Sequence, residues 1–239
     1  SIRYNDLNAL REALEDENVA AFMVEPIQGE AGVYVPDENY IKEAFDLCKS
    51  RNVLFIADEV QTGIGRTGKL LAVDHENVKP DVLILGKAIS GGVLPVSAVL
   101  ANNEIMEVIR PGNHGSTFGG NPLACAVAKA ALEVVEEEEL ARNASELGKL
   151  FREEMEKLIK EIDLVRLVRG KGLLNAIVIN DSEDSSTAWD ICMGLKKNGL
   201  LAKPTHGNII RFAPPLVMTE EQLLECISII RKTLLEFKK

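Results

Sequence analysis

The stretch VLFIADEVQTGIGRTG, Val53 to Gly68, runs apolar, stops on two adjacent acids, Asp58 and Glu59, and then dissolves into glycines. A second apolar run, DVLILGK from Asp81, ends on Lys87. Ligands of an open α/β sheet sit beyond the carboxyl ends of its strands. An acid and a lysine delivered at two such ends can therefore face one crevice. A lysine amine kept neutral by burial or by a cationic neighbour can form a Schiff base with an aldehyde. An aspartate in the same crevice can hold a proton on a ring nitrogen.

Pyridoxal phosphate needs both partners, a lysine for its aldehyde and an acid for its pyridinium nitrogen. The bland alternative is that Asp58 caps a loop and Lys87 snorkels to the surface. HGSTFGGNP, His114 to Pro122, adds two hydroxyls and flexible backbone N–H groups just before a helix start, which suits a phosphate. An ordinary Gly-rich turn with a Ser/Thr cap would read the same. GIGRTG fits neither GxxxxGK[ST] nor GxGxxG, so a nucleotide site there is weakly supported.

The elements that must position these residues alternate. Asp6 is the expected N-cap of a helix over Leu7–Glu15, whose Leu7, Leu10 and Leu14 keep helical spacing. VAAFMVE, VLFIADE, DVLILGK and PVSAVLAN read as strands, with YIKEAFDLCKSRN as an amphipathic helix between the first two. This order predicts an α/β fold with a largely parallel sheet, and the apolar strands predict cover on both its faces. From Asn121 a very long helical pattern without internal proline follows, its acids Glu136 to Glu139 being either a solvated face or a bend. Beyond it LVRLVRGKGLLNAIVIN reads as strand, turn and strand, and TAWDICMGLKKNGLL as a helix stopped by Gly199. NIIRFAPPL is a strand, and Thr219 with Gln222 makes a capping box for the last helix. The domain boundary is expected near Glu138, giving 1–138 and a smaller α+β domain, 139–239.

The net charge of −10, with 37 acidic against 27 basic residues, speaks against nucleic-acid or anionic-membrane partners. Four dispersed cysteines, Cys48, Cys125, Cys192 and Cys226, form neither a CxxC pair nor a disulfide framework. Each is expected as a small buried hydrophobe in a reducing compartment. No apolar stretch spans a bilayer, no leader opens the chain, and the missing initiator Met suggests a start in mid-protein.

VEPIQGEAGV, LFIADEVQTGIGRTG, LGKAISGG and GSTFGGNPLA, in that order, resemble the class III, pyridoxal-phosphate-dependent aminotransferases. RGKGLLNAIVI and NGLLAKPTHGNIIRFAPPL narrow the resemblance to the branch that acts on ornithine. It implies a fold type I large domain, of which this chain holds the later part, followed by the small C-terminal domain. It further implies transfer of the δ-amino group of L-ornithine to 2-oxoglutarate, giving glutamate-5-semialdehyde and glutamate, in a homodimer with shared sites. By the same resemblance Lys87 is the Schiff-base lysine and proton shuttle, Asp58 the partner of the ring nitrogen, and Gln61 that of the phenolic oxygen. Ser116 and Thr117 bind the phosphate of the neighbouring subunit's site. Val60 packs either on the ring face or in plain core.

Arg211 resembles the family's arginine for the substrate α-carboxylate, and Glu30 its switch partner. An acid that covers the arginine while ornithine reacts, and withdraws when 2-oxoglutarate enters, suppresses the wrong chemistry by competition. A permanent bridge between domains is the alternative. His75, His114 and His206 read as structural, Lys203 as structural or at the site rim, and Trp189 as packed on the small domain's sheet; no metal site is expected. Other readings are a class III enzyme for acetylornithine or 4-aminobutyrate, or a non-catalytic fragment keeping an association surface. The resemblance covers the chain but only the later part of the family's subunit, so several cofactor and substrate contacts match no residue here. A chain of these residues alone is expected to hold cofactor poorly and turn over no ornithine. Mitochondrial matrix and cytoplasm both suit the reduced cysteines.

Overall fold

A computed structural model describes residues 1–237. Ser1–Pro26, Pro36–Ile64 and Lys69–Glu138 form one unit; Ile27–Val35, Gly65–Gly68 and the chain from Glu139 onward form a second.

The first unit opens with α1 (Leu7–Ala13), capped by Asp6, whose carboxylate accepts from the Asn8 and Ala9 N–H groups at 3.1 and 2.9 Å. β1 (Ala21–Val24), α2 (Tyr40–Ser50), β2 (Leu54–Asp58), β3 (Val82–Leu85) and β4 (Ala98–Ala101) follow. The sheet order is β1-β2-β3-β4, parallel except for β4, which pairs antiparallel with β3. Alternation along β2 sends Phe55 and Ala57 to one face. There they are fully buried with Leu10 of α1 and Tyr40, Ile41, Ala44 and Cys48 of α2. Leu54, Ile56 and Asp58 fall on the other face and stay half-buried. Cover on the two faces is thus unequal, and the edge residues Met23, Val99 and Leu100 are exposed. α3 (Asn103–Met106) and α4 (Pro122–Glu137) complete the unit, Asn121 capping α4 through the Ala124 N–H at 2.8 Å.

The single long helical pattern proves to be two helices. α4 ends at Glu137, and Glu139, with φ of +51°, stands before α5 (Leu140–Glu161). In the second unit β5 (Val165–Lys171), β6 (Leu174–Ile179), α6 (Thr187–Lys197), β7 (Lys203–Thr205), β8 (Ile209–Phe212) and α7 (Glu220–Glu236) follow. Its sheet is antiparallel in the order β5-β6-β8-β7. β6 is buried on both faces. Ile177 and Ile179 join Phe151 and Met155 of α5, Ile191 and Leu195 of α6, and Ile230 and Leu234 of α7. Ala176 and Val178 face Ile27 and Val33, which explains why that short early segment belongs here.

Thr219 and Gln222 form the expected capping box. Trp189 does not pack on the sheet. It is 58% exposed, because the buried stripe of α6 is Ala188, Ile191, Cys192 and Leu195. Cys48 and Cys192 are buried as expected, whereas Cys125 is exposed on α4. β7 escaped the sequence reading: it is three residues long and contains Pro204, whose missing N–H is tolerated at a sheet edge.

Gly148 of α5 lies so close to the β5–β6 turn that an added Cβ would sit 1.8 Å from the Gly172 carbonyl oxygen. Alanine is intrinsically the better helix residue by about 1 kcal/mol, but overpacking against backbone outweighs that. Gly148→Ala is expected to lower the unfolding free energy by about 1–3 kcal/mol, read as a lower urea midpoint at unchanged slope. A raised midpoint would show that helix and turn separate at no cost.

Candidate active site

Parallel pairing of β2 with β3 sets Asp58 opposite Ile84, three residues before Lys87. The acid and the lysine therefore emerge at the carboxyl ends of neighbouring strands. Lys87 begins a short 3₁₀ turn, Lys87–Ser90, with φ of +44°. That left-handed backbone is uncommon for a residue with a Cβ and marks local strain. Lys87 is exposed and Asp58 half-buried, so neither is the fully buried charge that an apolar strand end suggested. One Asp58 oxygen accepts the Val60 N–H at 3.1 Å. Val60 packs its methyl groups against Gly86, where an added Cβ would meet them at 3.3 Å. Gln61 follows, half-buried.

The buried acid is Glu59, 1% exposed. Strand alternation turns it to the covered side, away from the face of Asp58. Its carboxylate takes the Thr62 hydroxyl on one oxygen and the Val73 N–H, at 2.9 Å, on the other. Burial raises the Glu59 carboxyl above its ordinary value, while the bonds from Thr62, Val73 and Ala72 oppose the rise.

Ser116 and Thr117 are exposed. The Ser116 hydroxyl accepts the Gly119 N–H at 2.9 Å, an internal turn just before α4. Phe118 beside them is 81% exposed. The GIGRTG loop is taken up in packing. Arg66 donates to the carbonyls of Leu173 and Pro214 at 3.0 and 2.6 Å, and burial lowers its pKa to about 10. A Cβ on Gly172 would meet the Thr67 carbonyl carbon at 2.4 Å and the Arg66 carbonyl oxygen at 2.6 Å. This leaves the nucleotide reading without a cradle.

In the second unit Arg211 on β8 and Lys203 on β7 are register partners, so two cations stand side by side. Glu30 bridges them, Oε2 to Arg211 Nη1 at 3.0 Å and Oε1 to Lys203 Nζ at 2.9 Å. The Arg211 side chain is 16% exposed, those of Glu30 and Lys203 more than half. Thr205, two residues along β7, donates its hydroxyl to the Glu30 carbonyl at 2.7 Å. The Lys203 hydrogen bond first, and the Arg211 charge with it, hold the Glu30 carboxyl below its ordinary value; burial opposes them. Glu30 and Arg211 lie in the same unit, so their pair is internal to it.

The model of the family "Aminotransferase class-III" matches residues 2–234. The chain belongs to the class-III aminotransferases. Mitochondrial ornithine aminotransferase of Drosophila melanogaster is 64% identical over 98% of the chain and 53% of its own length. Among solved structures, an acetylornithine aminotransferase from Elizabethkingia anophelis is 71% identical, with a TM-score of 0.97 over 99% of this chain and 59% of that one. Ornithine aminotransferase of Toxoplasma gondii, crystallised with oxidised glutathione and with partial occupancy of PLP at its active site, is 51% identical. Its TM-score is 0.94, over 98% of this chain and 55% of that one. The chain thus spans about half the length of the curated relatives it matches. These relatives agree with the resemblance read from the motifs and with a partial fold type I architecture.

Two residues of this aminotransferase chain gain a place only in the structure. The sequence assigns Glu59 no role beside Asp58, and reads Lys203 as structural or at the site rim. Strand alternation could have flagged the first; only the β7–β8 register reveals the second.

An acid whose pKa is raised on folding binds its proton more tightly in the folded state. Its contribution favours folding at low pH and fades as pH rises from the ordinary value of 4.5 through the folded one. The stability difference between the native protein and Glu59→Gln is therefore expected to move against the native protein as pH rises above about 4.5, and to level off once the folded carboxyl has ionised. Denaturant titrations at several pH values check this. A difference that grows in favour of the native protein with pH would contradict it.

Proposed function

We propose that the protein carrying this sequence uses pyridoxal phosphate to move the δ-amino group of L-ornithine to 2-oxoglutarate, forming glutamate-5-semialdehyde and glutamate. Family membership and the names of the curated relatives support this reading. The observation that carries it is Glu30 seated on Arg211 at 3.0 Å, an acid covering an arginine that would otherwise take a substrate carboxylate.

The donor set at the ends of β2 and β3 suits the cofactor. Asp58 keeps one carboxylate oxygen beyond the Val60 bond, Lys87 offers an exposed amine, and Val60 on Gly86 gives an apolar flank. When bound, pyridoxal phosphate supplies an aldehyde for amines and a ring that accepts electron density. Asp58 would hold a proton on the ring nitrogen, and Gln61 would hydrogen-bond the phenolic oxygen. Lys87 Nζ would hold the aldehyde and would serve as the base that moves a proton at the substrate carbon. Arg211 binds the α-carboxylate of 2-oxoglutarate or glutamate once Glu30 withdraws, and Glu30 covers it while ornithine reacts.

Residues 1–138 are proposed as part of the cofactor-binding large domain and 139–239 as the small domain. Ser116 and Thr117 are proposed to hold the phosphate in the neighbouring subunit of a homodimer. The exposed apolar side chains of Val93, Val108, Phe118 and Leu123 in the same stretch support an association surface. The proposed compartment is the mitochondrial matrix or the cytoplasm, where free thiols persist. N-acetylornithine as amino donor is the second reading, favoured by the 71% identity to the Elizabethkingia protein.

In the protein that carries this sequence, kcat/KM for ornithine is expected to exceed that for N-acetylornithine by about tenfold or more; the opposite ranking would establish the second reading. Borohydride reduction is expected to fix a pyridoxyl phosphate mass on the Lys87 peptide. Lys87→Ala should abolish that mass and lower turnover by roughly 10²–10⁴-fold. A mass on any other lysine of the native protein would remove Lys87 from its role.

A further inference from the structure

We infer that Lys203 is a positioning residue of the Glu30–Arg211 switch: it keeps hold of Glu30 when the acid leaves Arg211, and so lowers the cost of opening the switch to a dicarboxylate. This rests on the switch reading given above.

The two cations are not placed by chance. Lys203 and Arg211 are register partners on antiparallel strands, so their Cα atoms are fixed side by side by the β7–β8 ladder. Two like charges at such a pair repel, and the Glu30 carboxylate relieves this by giving one oxygen to each. The backbone of Glu30 is held by the same strand through Thr205, whose hydroxyl donates to the Glu30 carbonyl at 2.7 Å. β7 therefore anchors the acid twice, at the main chain and at Oε1. Rotating the carboxylate away from Arg211 breaks the Oε2 contact but needs to break neither anchor.

The surroundings differ for the two contacts. Arg211 is largely sheltered, its side chain 16% exposed, as suits a group that must grip a ligand. Lys203 is 59% exposed on a flexible stem, as suits a partner that follows a moving acid. Both cations border an apolar cavity of about 490 Å³ that includes Phe212, Ala213 and Pro214, so exposure is what separates them. Without Lys203, the withdrawn carboxylate would have water alone in place of its second ion contact. The closed state keeps Arg211 as counter-charge when Lys203 is lost and the open state does not, so the loss falls more heavily on the open state; it would be less populated, and apparent affinity for any ligand requiring it would fall in proportion.

The test uses the complete, cofactor-loaded protein and glutarate, a dicarboxylate with neither amine nor keto group, titrated by calorimetry. Lys203→Met is expected to weaken glutarate binding about two- to fivefold, the scale of one exposed ion pair, and Lys203→Arg to restore it. In a Glu30→Ala background the same Lys203→Met change is expected to have no effect, because the acid it holds is gone. The ratio of kcat/KM for glutamate to that for ornithine should fall in Lys203→Met and recover in Lys203→Arg. An equal loss in both backgrounds would make Lys203 a general electrostatic attractor and overturn the inference, as would unchanged or tighter binding. If Glu30→Ala alone fails to tighten glutarate, the switch reading itself falls; if it tightens glutarate while Lys203→Met changes nothing, only the role of Lys203 falls.

Discussion

A carboxylate buried to 1% must find hydrogen-bond donors, and Glu59 finds them on both sides of the chain that follows β2. The Thr62 hydroxyl takes one oxygen and the Val73 N–H the other. Val73 lies fourteen residues beyond Glu59, so the chain must return to the strand end to satisfy one side chain. Much follows from this. The ladder extends one residue past β2, with the Glu59 N–H donating to the Ile84 carbonyl at 3.0 Å. With Glu59 turned to the covered side, alternation leaves Asp58 on the open side, and the Val60 N–H orients its carboxylate. The acid proposed for cofactor chemistry is thus aimed by the burial of its neighbour.

The second unit is organised around the opposite problem, an excess of positive charge on one sheet edge. Arg211 and Lys203 share a register position. A short strand with a proline is a weak element by itself, and β7 has only three residues. Glu30 and Thr205 add side-chain ties to that edge. The early segment Ile27–Val35 is held there further by Ile27 and Val33 in the apolar layer against β6, and by Arg169, which donates to the Gly32 carbonyl at 2.9 Å and stacks on Tyr34. An acid on a loop fixed at this many points can move its carboxylate without moving its backbone, which is the requirement for a side-chain switch.

Most elements were legible because their signals are local. Asp6 and Thr219 cap helices through bonds within three residues, and alternation or helical spacing depends on near neighbours. The motif residues at the ends of β2 and β3 were legible for a related reason: a polar residue ending an apolar run interrupts a simple pattern. What escaped was non-local or nearly neutral. The helical pattern from Asn121 to Ile162 contains no proline or glycine at its break, and only the left-handed backbone of Glu139 separates α4 from α5. Trp189 lies within a helical pattern expected to pack on the sheet, yet one position on a helix turns a side chain by 100° off the buried stripe. Lys203 lies eight residues from Arg211 and far from Glu30 in sequence, and three elements must assemble before their charges meet.

Substrate choice in such a site is decided by few charges, whereas sequence identity averages over many positions. The 71% and 64% identical relatives carry different substrate names, so overall identity alone does not choose between the two donors. Two cations and one acid leave the Glu30–Lys203–Arg211 cluster with a single net positive charge while closed. A substrate carboxylate can take the Arg211 Nη1 contact only once Glu30 yields it. On the proposed reading, ornithine reacts through its δ-amine and leaves the cluster closed, whereas 2-oxoglutarate must open it. The energetic cost of opening then falls on one half-reaction alone, and any residue that eases the departure of Glu30 tunes the balance between the two.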